Sequence, residues 1–89
     1  MLSIMQTNQQ EILDRLQSIF DDIFLDDVAV TRDLSANDVE EWDSLLHISL
    51  VVAVEEAFGI KFRVGEVEAT KNVGDFADLI SQRLEAQYA

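Results

Sequence analysis

Residues 42–60 read WDSLLHISLVVAVEEAFGI, and the main features of the fold can be predicted from this segment. Asp43 or Ser44 can cap the free amides at a helix start, because each side chain carries a short acceptor oxygen. Gly59 follows Phe58 at the point where a helix end favours a residue without a side chain. Apolar residues surround much of the intervening helix. We therefore expect this helix to be covered on several sides and to lie at the centre of a bundle.

Helical periodicity continues on both sides of this central segment. From about Asn8 to Phe24, apolar residues recur every three or four positions and form one face of a helix. Residues 64–68 have room for only one or two helical turns, and Asn72 can cap a last helix that runs through about Leu84. Proline is absent, so long helices are not interrupted. The sequence predicts an all-α fold with three longer helices and one short helix.

Residues 25–42 form an acidic connection without clear periodicity. Val28, Val30, Leu34 and Val39 are spaced so that they can pin this segment to the core. A connection of this length is more typical of a packed loop, with a short helical turn, than of a mobile tether. Nine acids lie in or beside it, with Arg32 as the one cation in their midst: Asp21, Asp22, Asp26, Asp27, Asp33, Asp38, Glu40, Glu41 and Asp43.

The charge balance restricts the class of partner. Eighteen acidic residues against six basic ones give a formal net charge of -12. A charge of this sign repels nucleic acid and anionic membrane surfaces, and no stretch is apolar enough for membrane insertion. We expect partner proteins with basic docking patches, although the same charge can serve solubility alone.

Length and composition indicate one domain over residues 1–89, with a helical core at about 8–85. The segment Met1-Leu2-Ser3-Ile4-Met5 lacks the basic region of a secretion signal. No Pro/Ser-rich extension suggests a tether to a larger synthase. We expect an independent, monomeric and cytoplasmic polypeptide.

The residue types and their spacing give little evidence for a catalytic site or a metal site. The chain has no cysteine, so any thiol chemistry must be imported. Asp43, Ser44 and His47 include the residue types of a hydrolytic triad, but they are too crowded at one helix start to form the usual relay. The aspartates between Asp21 and Asp33 do not match a calcium-binding EF-hand loop. We expect no enzyme activity, no catalytic residue and no metal site.

Trp42-Asp43-Ser44-Leu45 resembles the acyl carrier protein family, whose modified serine lies in an Asp-Ser-Leu motif at the start of the second of four helices. Residues 55–60, Glu-Glu-Ala-Phe-Gly-Ile, are similar to the family segment that follows this helix, and the resemblance covers roughly residues 12–84. It implies a four-helix acyl-carrier-like bundle. It also implies that a phosphopantetheinyl transferase moves 4'-phosphopantetheine from coenzyme A to Ser44, between Asp43 and Leu45, for use by acyl-loading and acyl-processing enzymes.

Asp43, Glu55 and Glu56 are the candidate docking residues for those enzymes, because acids attract basic patches over a long range. For Glu55 and Glu56, a solvated polar stripe is an equal alternative. Leu46 and Ser49 stand where well-known fatty-acid carriers often have acids. This departure from the pattern of fatty-acid carriers favours a specialised lipid, polyketide or related pathway.

Three further alternatives stay open at this stage. His47 follows Ser44 by one helical turn and either faces the phosphodiester or a partner, or is an exposed helix residue. Trp42 either marks a specialised subset of carriers or anchors the loop. The chain as a whole is either a loaded carrier or an interaction module with the same fold that never receives the prosthetic group.

Overall fold

The computed structural model describes residues 9–63 and 65–88. Three α-helices are present: α1 at Gln9–Ile23, α2 at Ser44–Phe58 and α3 at Val73–Tyr88. A short 3-10 helix at Ala36–Asp38 lies in the connection between α1 and α2. The described residues contain no β-strand. The predicted all-α fold is confirmed, and α3 continues four residues past the predicted end at Leu84.

The short helical element predicted for residues 64–68 is a hydrogen-bonded turn at residues 65–69. Ala69 N donates to Gly65 O at 3.2 Å, and Thr70 N donates to Val67 O at 3.0 Å. Val67 is buried and attaches this turn to the core. Val64 lies outside the described residues. The short element is thus one helical turn rather than a regular helix.

The ends of α2 follow from local sequence. Leu46 N donates to Asp43 Oδ1 at 2.8 Å, so Asp43 is the N-cap. At the other end Gly59 is left-handed, with φ 67° and ψ 38°, a conformation that costs other residues roughly 1–2 kcal/mol. Both predicted boundaries are confirmed.

The core forms along α1, because α1 packs against both α2 and α3. The buried face of α2 consists of Leu50, Val54 and Phe58. The prediction that α2 lies at the centre, covered on several sides, is wrong. The physical reason is that one apolar face of α2 packs into the core, while a second apolar face is exposed to solvent.

Aromatic and aliphatic side chains fill this core. The buried apolar residues are Ile12, Leu16, Phe20, Phe24, Val28, Leu50, Val54, Phe58, Ile60, Val67, Val73, Phe76, Ala77, Ile80 and Leu84. Val30, Leu34 and Val39 are half-buried and pack against them. The connection between α1 and α2 is therefore the packed loop with a short helical turn that the sequence predicts.

Backbone hydrogen bonds tie this loop to α3. Val73 N donates to Leu34 O at 2.8 Å, and Gly74 N donates to Arg32 O at 2.9 Å. A Cβ atom on Gly74 would lie 3.0 Å from the Arg32 carbonyl oxygen, so a larger residue there would require the loop to move by a few tenths of an ångström. The loop thereby satisfies amides at the start of α3 that have no partner within the helix.

Candidate functional site

Ser44 is the first residue of α2 and is exposed to solvent. Asp43, not Ser44, caps the helix. Its side chain accepts a hydrogen bond from Leu46 N, and its carbonyl oxygen accepts one from His47 N at 2.9 Å. Within residues 9–63 and 65–88, the Ser44 hydroxyl has no hydrogen-bond partner. The division of roles between the two residues leaves the Ser44 oxygen available for modification.

The end of α2 also provides a suitable electrostatic environment for an anion on Ser44. Unpaired amides and the helix dipole place a partial positive charge at the N-terminus, worth roughly 0.3–1 kcal/mol toward a nearby negative group. Asp43 offsets part of this effect with its own charge. The contribution to binding is therefore modest, and exposure of the hydroxyl is the more important property.

Comparison with known proteins agrees with this geometry. Residues 10–80 match the family model described as "Phosphopantetheine attachment site". The acyl carrier protein of Guillardia theta is 38% identical over 81 residues, which cover 89% of this chain and 99% of that protein. That of Thermosynechococcus vestitus is 34% identical over 80 residues, with coverages of 89% and 99%. The chain belongs to the acyl carrier protein family.

A solved structure supports the same assignment. The solution NMR structure of the holo acyl carrier protein from Geobacter metallireducens aligns with a TM-score of 0.79 at 45% identity. The alignment covers 86% of this chain and 90% of that one. Members of the family are carriers rather than enzymes, and their prosthetic group is 4'-phosphopantetheine. They interact with phosphopantetheinyl transferases and with acyl-handling enzymes.

The candidate residues of this carrier fit such a group. The Ser44 hydroxyl is exposed and without a hydrogen bond to the described part of the chain, and Leu45 beside it is 73% exposed. Asp43 shapes the helix start through its capping bond. Among the residues that the structure describes, no three or more His, Cys, Asp or Glu side chains are grouped so that they could hold a metal ion.

Trp42 anchors the end of the loop that precedes Ser44. Its ring makes edge contacts with Phe20 and Phe24, at centroid distances of 5.3 and 5.6 Å. Its Nε1 donates to His47 Nδ1 at 3.2 Å. His47 is half-buried, which corrects the alternative that it is an exposed helix residue. The aromatic cluster thus fixes the loop that presents the serine.

The three docking candidates differ in their surroundings. Asp43 and Glu56 are exposed, whereas Glu55 is half-buried. The Glu55 carboxylate accepts Phe62 N at 2.9 Å, and Lys61 Nζ lies 4.0 Å from it. Glu55 therefore stabilises the loop after α2, and a docking role for all three acids stays a prediction.

An exposed apolar stripe on α2 was not predicted from the sequence. Leu45, Ile48 and Val52 are 73%, 60% and 47% exposed. Their spacing of three and four residues is a helical signal. The buried residues of α2 repeat in the same way, so the sequence could not distinguish the covered face from the open one.

Replacing Asp43 should separate its capping role from its charge. We expect Asp43→Ala to lower the free energy of unfolding by about 1 kcal/mol, because the Leu46 amide loses its partner. Asp43→Asn should be nearly neutral, since asparagine caps equally well. Urea unfolding of both variants measures the difference, and equal losses would contradict the capping role.

The described residues contain no helix with the length and apolar character needed to cross a membrane.

Proposed function

We propose that this acyl carrier protein carries acyl intermediates as thioesters on a 4'-phosphopantetheine attached to Ser44, in a specialised lipid, polyketide or related pathway. It acts as a cytoplasmic monomer whose single domain spans residues 1–89. The observation that carries the proposal is the exposed Ser44 hydroxyl, released from capping by Asp43. Leu46 and Ser49, in place of the acids common in fatty-acid carriers, support the specialised pathway.

The chemistry requires a group that the chain does not encode. With no cysteine in the sequence, the protein has no thiol of its own. The attached group supplies that thiol, on which acyl groups are held as thioesters. The chain contributes the attachment oxygen, a rigid helix start and a surface that partner enzymes recognise.

The exposed face of α2 is the proposed docking surface. Helical geometry places Leu45, Ile48, Val52 and Glu56 within a face about 80° wide. Asp43 precedes this face at the helix start. Apolar residues of this kind can be buried by a partner, while the flanking acids attract its basic groups. Ser44 lies at one end of the surface, so docking would bring a partner's active site close to the attachment point.

Charge removal tests this surface. We expect Glu56→Gln and Asp43→Asn each to raise the KM of a phosphopantetheinyl transferase for the carrier about two- to fivefold at low salt. The attraction is screened at high salt, so the difference should disappear there. Initial rates at two ionic strengths measure the effect.

Glu85→Gln is the matched control, because Glu85 is exposed on α3 and its change removes the same charge. Equal effects from the α2 and α3 variants would assign the result to net charge and reject a docking surface. An increase in KM that persists at high salt would reject the electrostatic explanation.

The proposed function is tested by mass spectrometry of the purified chain. Incubation with coenzyme A and a transferase of broad specificity should add one phosphopantetheinyl group per chain. The loaded form should then accept one acyl group that hydroxylamine removes. A folded chain that keeps its original mass would instead be an interaction module without the prosthetic group.

A further inference from the structure

We infer that His47 donates a hydrogen bond from Nε2 to a carbonyl oxygen of the group tethered to Ser44, at the mouth of a groove beside α2. This inference rests on the proposed function. It assigns a binding role to a side chain that neither caps the helix nor belongs to the docking surface. The argument depends on the tautomer of the imidazole, on the shape of the groove and on the path from Ser44.

Trp42 determines the tautomer of His47. An indole Nε1–H can only donate, so the 3.2 Å contact from Trp42 requires a lone pair on His47 Nδ1. The uncharged imidazole then carries its proton on Nε2. In the part of the chain that the structure describes, Nε2 has no hydrogen-bond partner. A donor therefore remains available next to the attachment site.

The aromatic cluster holds this donor in place before any ligand arrives. The Trp42 and His47 rings are 6.2 Å apart at an interplanar angle of 27°. Trp42 is itself held by Phe20 and Phe24, which stack on each other at 4.8 Å. Because the imidazole is oriented in advance, little conformational entropy is lost when Nε2 binds an acceptor.

His47 lies at the boundary of two cavities. One is a groove of about 270 Å³ between α2 and the 65–69 turn, with walls that include Val51, Phe62 and Val67. The other is a pocket of about 70 Å³ next to Trp42, Leu50 and Phe76. The groove has the larger volume, and it is the cavity that can receive a tethered chain.

His47 is the donor of this groove nearest to Ser44. The other polar residues of the lining are Glu55, Arg63 and Glu68. The two carboxylates are acceptors when ionised and cannot donate to a carbonyl oxygen. Arg63 belongs to the loop after α2, whereas His47 follows Ser44 by one turn, about 5 Å along the helix axis. On the helix surface, the path from Ser44 to Val51 runs between His47 and Ile48, which both line the groove.

The uncharged tautomer selects a carbonyl oxygen over the phosphodiester. An imidazolium would favour a phosphate anion, but it has protons on both nitrogens and is incompatible with the Trp42 contact. A neutral N–H donor suits an amide or acyl carbonyl. Amide carbonyls of the arm and oxygens of the acyl chain share this chemistry, and they are distinguished by loading the carrier in stages.

One histidine and one tryptophan in the chain make the test unambiguous by ¹⁵N NMR. Spectra are recorded of the apo form, the holo form, and holo forms with a saturated or a 3-oxo acyl group of equal length. We expect Nε2–H to shift downfield and to exchange with water roughly two- to tenfold more slowly in a loaded form. A change already in the holo form assigns the acceptor to the arm, whereas a change only on acylation assigns it to the cargo.

Variants separate donation from packing. His47→Phe keeps a ring beside Trp42 but removes Nε2, so the ¹³C resonance of the accepting carbonyl in the loaded carrier should move upfield. His47→Gln restores a donor and should recover part of the wild-type shift. Trp42→Phe retains the aromatic packing but no longer fixes the tautomer, so Nδ1–H should become detectable.

The outcomes that overturn the inference are distinct from those that overturn the proposed function. Loading at Ser44 without any change at Nε2 rejects the His47 contact alone. Arm and acyl carbonyl resonances that are identical in wild type and His47→Phe also reject it. An Nε2–H change already in the holo form, together with a phosphorus resonance that moves in His47→Phe, assigns His47 to the phosphodiester instead. A chain that accepts no group at Ser44 rejects both proposals.

Discussion

Ser44→Ala is expected to keep its unmodified mass after incubation with coenzyme A and a phosphopantetheinyl transferase, while the wild type gains one phosphopantetheinyl group. The phosphodiester needs an oxygen from the chain, and alanine supplies none. The substitution should leave the free energy of unfolding within about 0.5 kcal/mol, because the exposed hydroxyl is not the helix cap. Intact-protein mass spectrometry and circular dichroism provide the two measurements.

Ser49→Ala is the matched control for this loss. Ser49 is also an exposed serine on α2, and it differs from Ser44 in lying within the helix rather than at its start. Its variant should be loaded as fully as the wild type. Loading of Ser44→Ala, or failure of Ser49→Ala, would place the attachment oxygen elsewhere in the chain.

Phe20→Ala is expected to lower the free energy of unfolding by about 3–5 kcal/mol. Phe20 is 1% exposed, stacks on Phe24 and makes an edge contact with Trp42. Its removal leaves a cavity between α1 and the loop that presents Ser44. A domain of this size has a stability of roughly 5–15 kcal/mol, so the loss is a large fraction of the total. Thermal unfolding should shift down by at least about 10 °C.

Leu25→Ala provides the control for burial. Leu25 is a large apolar residue in the same region, but it is 94% exposed. Its backbone amide, which donates to Glu41 at 2.8 Å, is retained in the variant. We expect a change within about 0.5 kcal/mol. Similar losses for Leu25→Ala and Phe20→Ala would contradict the location of the core.

Local chemistry made much of the site predictable from the sequence. Each end of α2 is determined by residues next to it in the chain: Asp43 or Ser44 was the predicted cap and Gly59 the predicted stop, and the structure shows Asp43 and Gly59 at the two ends. The motif that places Ser44 at the helix start is equally local. Helix boundaries and the identity of the candidate serine therefore follow from short-range rules.

The roles of Glu55 and His47 depend on residues that the sequence pattern does not relate to them. The Glu55 carboxylate accepts the amide of Phe62, seven residues later, so a predicted docking acid also stabilises a loop. His47 Nδ1 accepts a hydrogen bond from Trp42, and the position of Trp42 depends on Phe20 and Phe24 in the α1 region. Such contacts are set by how the elements pack, not by spacing along one helix.

The residue pattern was enough to predict a helical protein, the two ends of α2 and the serine at its start, because hydrogen bonds within a few residues establish those features. Which apolar face of α2 is buried depends instead on how the helices pack. Both faces repeat with helical spacing, and packing against α1 covers Leu50, Val54 and Phe58 while it leaves Leu45, Ile48 and Val52 in solvent.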